Sequence, residues 1–350
     1  MATSIRTGII GFGLSGRVFH APFVSTNPSF ELALIATGDP QRRALASARY
    51  PNTEVVASPD DLLAQAADLD LVVLASPAHV HLEQGLAALR AGAAVVVDKP
   101  FAPSVAGAEA LIAAAAEVHR PLIVFQNRRW DGDFLTVKKL IASGTLGEIL
   151  RFESTFERWG GPVRDRWQDT TTVTQGAGIT FDIGSHLIDQ ALQLFGPVAQ
   201  VHAELRIERE HGVSEDDSFV SLLHDNGVRS HLTMSSVAAL SGPRFRVLGT
   251  SGTYSAYGLD GQEAALDSGM LPTDDGYGVP DPGAGGLLCL GQSKGDLTTT
   301  TVPTERGNYP AFYRGVAAAV RGKAAVPVDP RESLEVVRII ERIHREFSAA

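Results

Sequence analysis

The chain has 350 residues, 44% of them hydrophobic and 20% charged, with a formal net charge of −10. That length favours two domains over one core, and the acidic balance argues against nucleic acid or an anionic membrane as a partner. The single cysteine, Cys289, excludes a disulfide framework and a cysteine-based metal site within one chain.

The first predicted strand, at residues 7–10, enters Gly11-Phe12-Gly13-Leu14-Ser15-Gly16, and an amphipathic pattern leaves it. In this G-x-G-x-x-G spacing Gly11 permits a sharp turn. Gly13 lets the backbone approach a pyrophosphate, and Gly16 lets the following helix sit close to its strand. The helix N-terminus then offers free N–H groups and a positive dipole end to phosphates. Apolar runs recur at 31–36, 54–57, 69–75, 93–97 and 122–125, with helical patterns at 17–26, 41–49, 60–66, 80–91 and 105–118 between them. Strands alternating with helices predict βαβ units and a parallel sheet. The expectation is an α/β N-terminal dinucleotide-binding domain over residues 1–125.

The texture changes from Asn127. A helix pattern at 134–143 precedes alternating or aromatic-rich runs at 149–156, 198–208, 219–224, 228–235, 244–249 and 252–258, with turns such as Asp225-Asn226-Gly227. One long helix is predicted at 178–195. Residues 258–295, rich in Gly, Pro and Asp, read as irregular. Helices at 309–321 and 331–347 close the chain. This predicts an α+β C-terminal domain over 126–350 with a large, mostly antiparallel open sheet.

The second strand bears on the cofactor. NAD-binding folds usually place an acidic residue about 20 positions past the glycines, on the ribose 2′-OH. Here Thr37 and Gly38 occupy that place, Asp39 comes slightly late, and Arg42 and Arg43 follow. Two readings stand: arginines meeting a 2′-phosphate, or solvated residues of a first helical turn. NADP is favoured over NAD.

Ligands bind at the carboxyl ends of parallel strands. Asp98-Lys99-Pro100 closes the fifth strand, so Lys99 would face a cofactor cleft; its bland alternative is a strand-end charge. Ser76-Pro77-Ala78-His79-Val80-His81 closes the fourth. Its two histidines lack the further ligands of a metal site, so no metal is expected and Ser76, Pro77 and His81 are assigned to a cofactor loop, with surface histidines as the alternative. Asp182 and His186, at i and i+4, share a helical face. Oxidising an alcohol needs a base as well as a hydride acceptor, and histidine ordinarily titrates near neutrality. A carboxylate one turn away would fix its tautomer, and a lysine would favour the alkoxide. The alternative is a surface pair worth a few tenths of a kcal/mol. Asn127-Arg128-Arg129-Trp130-Asp131, and Trp159, Arg164, Arg166 and Trp167, carry side chains suited to a polyol, although each taken singly is more often an interface or packing residue.

No positively charged segment and apolar stretch precede the first strand, since Arg6 leads straight into it, and no apolar run reaches the roughly 20 residues of a membrane span. A cytoplasmic enzyme is expected.

With these motifs assembled, the chain resembles the glucose–fructose oxidoreductase / inositol dehydrogenase (Gfo/Idh/MocA) family nearly end to end. The resemblance rests on Gly11–Gly16 with Phe19-His20-Ala21-Pro22, on Asp98-Lys99-Pro100, on the Asn127–Asp131 run and on Asp182-x-x-x-His186. It looks closest to the NADP-preferring scyllo-inositol dehydrogenase branch. It implies a Rossmann domain plus an open-sheet domain, and homodimers or homotetramers formed through that sheet. It implies a dehydrogenase acting on a cyclitol, sugar or related polyol, with Lys99 as cofactor-adjacent catalytic lysine, His186 as acid/base and Asp182 as its partner. The resemblance also implies that Arg128 lines the substrate site, while the residues themselves assign Gly11 to Gly16, Thr37, Gly38, Arg42, Ser76, Pro77, His81, Asp98, Pro100 and Asn127 to the cofactor and Trp167 to the substrate. The family's usual glutamate is replaced by Asp98, which is expected to alter a cofactor contact. Two rival classes are an NAD-dependent glycosidase of the same fold and a non-enzymatic cofactor sensor.

Overall fold

The computed structural model describes residues 3–164, 167–293 and 295–347. Arg166 therefore lies outside the described residues. Contacts divide the chain into two compact units.

The first unit holds a six-stranded, all-parallel sheet: β1 (Ile5–Ile10), β2 (Phe30–Ala36), β3 (Glu54–Val56), β4 (Leu71–Leu74), β5 (Ala94–Asp98) and β6 (Leu122–Phe125). Their order is β3-β2-β1-β4-β5-β6. The direction of winding reverses between β1 and β4, which places a ligand crevice beyond the carboxyl ends of those strands. β4 and β5 are buried along their whole length, as the apolar sequence of β4 and the apolar residues 94–97 of β5 require, with the carboxylate of Asp98 buried at the end of β5. Each such side chain contributes roughly 1.5–3 kcal/mol of burial.

The second unit holds an eight-stranded sheet: β7 (Ile149–Glu157), β8 (Val198–Arg206), β9 (Asp217–His224), β10 (Arg229–Ser235), β11 (Phe245–Gly249), β12 (Gly252–Ala256), β13 (Gly285–Leu290) and β14 (Thr298–Pro303). Its order is β14-β13-β12-β11-β7-β10-β9-β8, antiparallel except for the parallel pair β7 and β10. Burial alternates strictly along β9, so one face of the strand is packed and the other open.

The structure departs from the sequence expectations in three places. The first compact unit does not end near residue 125: after Asn127 it also takes Gln262–Tyr277 and Tyr309–Val337. Aromatic packing is the reason. Tyr313 stacks on Phe23 with centroids 5.7 Å apart, and Phe312 meets Phe125 edge-on at 4.8 Å. Second, residues 258–295 contain the helix Gln262–Asp267 and β13, so they are not irregular throughout. Third, the helices expected at 17–26 and 178–195 each open with a wider π turn, Ser15–His20 and Thr180–Gly184, before continuing as α-helix. Such turns are frequent at functional sites. Among the described residues no helix is long and apolar enough to cross a membrane.

Candidate active site

At the end of β1, Gly11 adopts φ +99°, and a Cβ there would lie 2.5 Å from the Ala75 carbonyl oxygen at the end of β4. A Cβ on Gly16 would run into the Gly11 carbonyl. Only glycine fits either place. Gly13 differs: a Cβ there would meet nothing closer than Arg42 Nη1, at 3.6 Å. Open space above a bare backbone, flanked by a guanidinium, suits a pyrophosphate. The residues present therefore fit a dinucleotide. Phe12 turns its ring into the core, edge-on to Tyr50 at 6.2 Å, so its side chain is structural. Leu14 is exposed.

At the end of β2, Thr37 is buried and Gly38 exposed. Asp39 caps the helix Pro40–Arg49, its Oδ1 accepting from the N–H groups of Gln41 at 2.8 Å and Arg42 at 3.0 Å. The Arg42 backbone bond leads in holding the Asp39 carboxyl below its usual range, against the opposing effect of desolvation. Capping thus accounts for the acid closest to a ribose-binding position. Arg43 Nη1 donates to the carbonyls of Gly38 (2.9 Å) and Thr37 (3.3 Å), which fixes a second guanidinium at this strand end.

The loop after β4 is tied internally. Ser76 Oγ donates to Gln84 Oε1 at 2.6 Å, and buried His81 sits between the carbonyls of Ser76 (Nε2, 2.9 Å) and Phe101 (Nδ1, 3.3 Å). Burial pushes the His81 imidazole below its ordinary value. His81 thus braces the loop after β4 against the one after β5, a structural role the sequence did not assign it. Pro77 precedes a short turn at Ala78–Val80, and His79 is exposed. Among the described residues no three His, Cys, Asp or Glu side chains gather as a metal site.

Asp98 ends β5 beside Lys99, and the Lys99–Pro100 peptide is cis. The Asp98 side chain is buried. Its Oδ1 accepts from the Lys99 N–H at 2.7 Å, and its Oδ2 accepts a short hydrogen bond from Ser15 Oγ. His20 Nε2 lies 3.8 Å from that same Oδ2. Burial alone would raise the Asp98 carboxyl; His20, Lys99 and Ser15 outweigh it, so the group stays below its usual value and ionised. The aspartate in place of glutamate therefore has a definite partner in the glycine loop. His20 in turn meets the Tyr313 hydroxyl through Nδ1 at 2.6 Å. Sequence reading assigned no role to His20 or Tyr313, because they lie 293 positions apart.

Asn127 is buried at the start of the turn Asn127–Trp130. In the second unit, Arg128 is buried, with Nη1 3.2 Å from Asp131 Oδ2 and its guanidinium 4.9 Å from the Phe156 ring centre. Arg129 grips Asp189 with two hydrogen bonds, of 2.8 and 2.6 Å. Asp189 belongs to the helix Ser185–Phe195, which also carries His186, only 4% exposed. The next residue, Gln190, accepts from Arg244 Nη2 at 3.0 Å and donates to the Arg128 carbonyl at 3.0 Å. The helix head is held separately. Buried Glu215 Oε1 accepts from the Thr180 hydroxyl and from His344 Nε2 (3.0 Å), and Gly178 leaves just enough room for that carboxylate. Asp182 lies in the π turn, where Arg158 Nη2 donates to its Oδ2 at 2.9 Å. Arg158 as a partner of Asp182 was not legible in the sequence. Trp167 opens a single helical turn, half-buried, and Arg164 donates to the Gly160 carbonyl at 3.0 Å.

Comparison with known proteins matches residues 5–126 to the oxidoreductase family with an NAD-binding Rossmann fold, and residues 134–255 to the GFO/IDH/MocA C-terminal domain. This chain belongs to the GFO/IDH/MocA oxidoreductase family. The scyllo-inositol 2-dehydrogenase (NADP(+)) IolW of Bacillus subtilis is 36% identical over 339 residues, spanning 97% of this chain and 92% of that one. An uncharacterized oxidoreductase, YdgJ of Escherichia coli K12, is 39% identical over 345 residues (97% and 96%). Among solved structures, the Bacillus subtilis protein yvaA superposes with a TM-score of 0.90 at 35% identity, covering 97% of this chain and 94% of that one. As a member of the family, the protein is an NAD(P)-dependent dehydrogenase, with an NAD-binding Rossmann fold matched over residues 5–126.

Proposed function

We propose that this dehydrogenase acts on a secondary alcohol of a cyclitol, sugar or related polyol, with NADP preferred and His186 as acid/base. The observation that carries the chemistry is the buried His186 on a helix pinned at Asp189, Gln190 and Thr180, one turn after Asp182. Such pinning is what a proton-transfer group needs, since small misplacements are costly. The bound nicotinamide supplies the hydride-accepting or hydride-donating carbon. His186 takes the alcohol proton in oxidation and returns it in reduction. Asp182 favours the charged imidazole, and Arg158 holds that carboxylate in place. Lys99 stabilises negative charge developing on the substrate oxygen. Trp167 contacts the substrate, whereas Arg128 shapes its surroundings through Asp131 and Phe156. Arg42 beside Gly13 and Arg43 on the Thr37 and Gly38 carbonyls form the cationic edge that meets a 2′-phosphate. The name of the 36% identical relative supports both the cyclitol and NADP. The open face of the eight-stranded sheet, with Leu287 of β13 56% exposed, mediates self-association.

The test is a titration with NADPH and NADH, followed by a cyclitol and aldose panel read at the reduced-nicotinamide absorbance. Tighter binding of NADPH and stoichiometric nicotinamide turnover with a polyol support the reading. Preference for NADH removes the role given to Arg42 and Arg43. Release of a leaving group with no net change in nicotinamide redox state overturns the dehydrogenase step in favour of glycoside cleavage.

A further inference from the structure

The dinucleotide side of the protein contains a buried polar chain that no cofactor chemistry uses directly. It runs from Ser15 in the glycine loop to Asp98 at the end of β5, then to His20 and to Tyr313. His20 and Tyr313 are buried to within 1% of complete, in a nest of aromatic rings: Phe125 lies 4.4 Å from the His20 ring, and Phe23 stacks on Tyr313. Polar groups in so apolar a setting cost free energy unless they are paired. Packing alone would be served better by leucine or phenylalanine.

The order of donors along the chain follows from the chemistry. Burial, with the Asp98 charge adding to it, raises the Tyr313 hydroxyl well above its ordinary value, so it keeps its proton. A protonated phenol 2.6 Å from Nδ1 donates to it. The imidazole then carries its own proton on Nε2, which is buried without a hydrogen-bond partner among the described residues and lies 3.8 Å from Asp98 Oδ2, so it acts on that carboxylate electrostatically across a short gap rather than through a hydrogen bond. That carboxylate in turn accepts from Ser15 Oγ and from the Lys99 N–H. One buried carboxylate thereby joins the glycine loop to the strand end that bears Lys99, and the His20 imidazole lies behind it.

We propose that His20 and Tyr313 are positioning residues for the dinucleotide: they hold the Asp98 carboxylate so that it fastens Ser15 of the glycine loop to the Lys99 strand end. This rests on dinucleotide binding by the first unit and is independent of the substrate and of His186. A loop fastened before the ligand arrives spares the ligand the free-energy cost of ordering it. Replacing the tie should weaken nucleotide binding more than it weakens the fold.

The experiment is fluorescence titration of NADPH into the full-length protein, with thermal unfolding of the nucleotide-free protein measured alongside. Tyr313→Phe keeps the ring stack and removes one hydrogen bond; it should raise the NADPH Kd about fivefold. His20→Gln should raise it about tenfold. Asp98→Ala should weaken binding further, while Asp98→Glu, long enough to close the gap to His20, should keep it. Ser15→Ala combined with Tyr313→Phe should be no worse than the weaker single variant, since both act through Asp98. Unchanged Kd values in folded Tyr313→Phe and His20→Gln, with only a lower melting temperature, would overturn the proposal. So would additive effects in the double variant. If His20→Gln fails to fold, Tyr313→Phe decides alone. Wild-type protein that binds neither NADPH nor NADH would instead contradict the dinucleotide reading itself.

Discussion

The glycine loop of the first unit and the His186 helix of the second are both held rigid, by opposite means. Around Gly11 and Gly16 the backbone itself is in contact, with a carbonyl where any side chain would have to go. Around His186 the backbone is a π turn running into an α-helix, and charged side chains hold it: Arg129 on Asp189, Arg244 on Gln190, Glu215 on Thr180. A site of the first kind fails when volume is added. A site of the second kind fails when a partner is removed.

Breaking the second region should have the largest effect. Asp189→Ala leaves the buried Arg129 guanidinium without its two-point grip, and losing one partner of a buried pair costs roughly 3–5 kcal/mol. Chemical denaturation should show that loss, and Asp189→Asn should lose less. In the first region, Gly11→Ala forces a Cβ against the Ala75 carbonyl at positive φ, a penalty of about 3 kcal/mol. NADPH titration should show binding weakened about a hundredfold. An unchanged Kd would mean that the loop yields where the geometry says it cannot.

Acid sharpens the comparison, because each unit buries a histidine with a depressed pKa. Burial lowers His81 in the first unit and His224 in the second. The unfolded chain therefore binds protons before the native state does. Stability should be level above about pH 6.5 and fall as the pH drops below it. Asp98, held low, adds a further loss only below the ordinary aspartate value of 3.8. Denaturation midpoints between pH 8 and 5 should show the first decline, and His81→Gln should shallow it. The smallest effect is expected for Arg158→Ala. Its pair with Asp182 is partly exposed, so stability should move by less than about 1 kcal/mol, while turnover falls through loss of the Arg158 contact to that carboxylate.

The same contrast explains what the sequence could show. The glycine spacing, the strand–helix alternation and the Asp182–His186 interval are local, so they could be read directly. The restraints around them were not, because their partners are distant: Ser15 and Asp98 lie 83 positions apart, Arg129 and Asp189 60, Thr180 and His344 164. The helix Pro310–Val320 could not be assigned to the first unit from sequence, since aromatic packing decides its place and sequence adjacency points the other way. β13 and β14 escaped notice for a different reason. One opens with Gly285 and Gly286, and the other is a threonine-rich edge strand ending in proline, a composition typical of strands that pair on one side only.

The central claim is that His186 transfers the proton. It is tested most directly by turnover of the wild type and His186→Asn on the polyol the wild type oxidises, with NADPH binding measured on both. The account predicts a fall in kcat of about 10²–10⁴-fold with the NADPH Kd unchanged. Turnover that survives the substitution would contradict it.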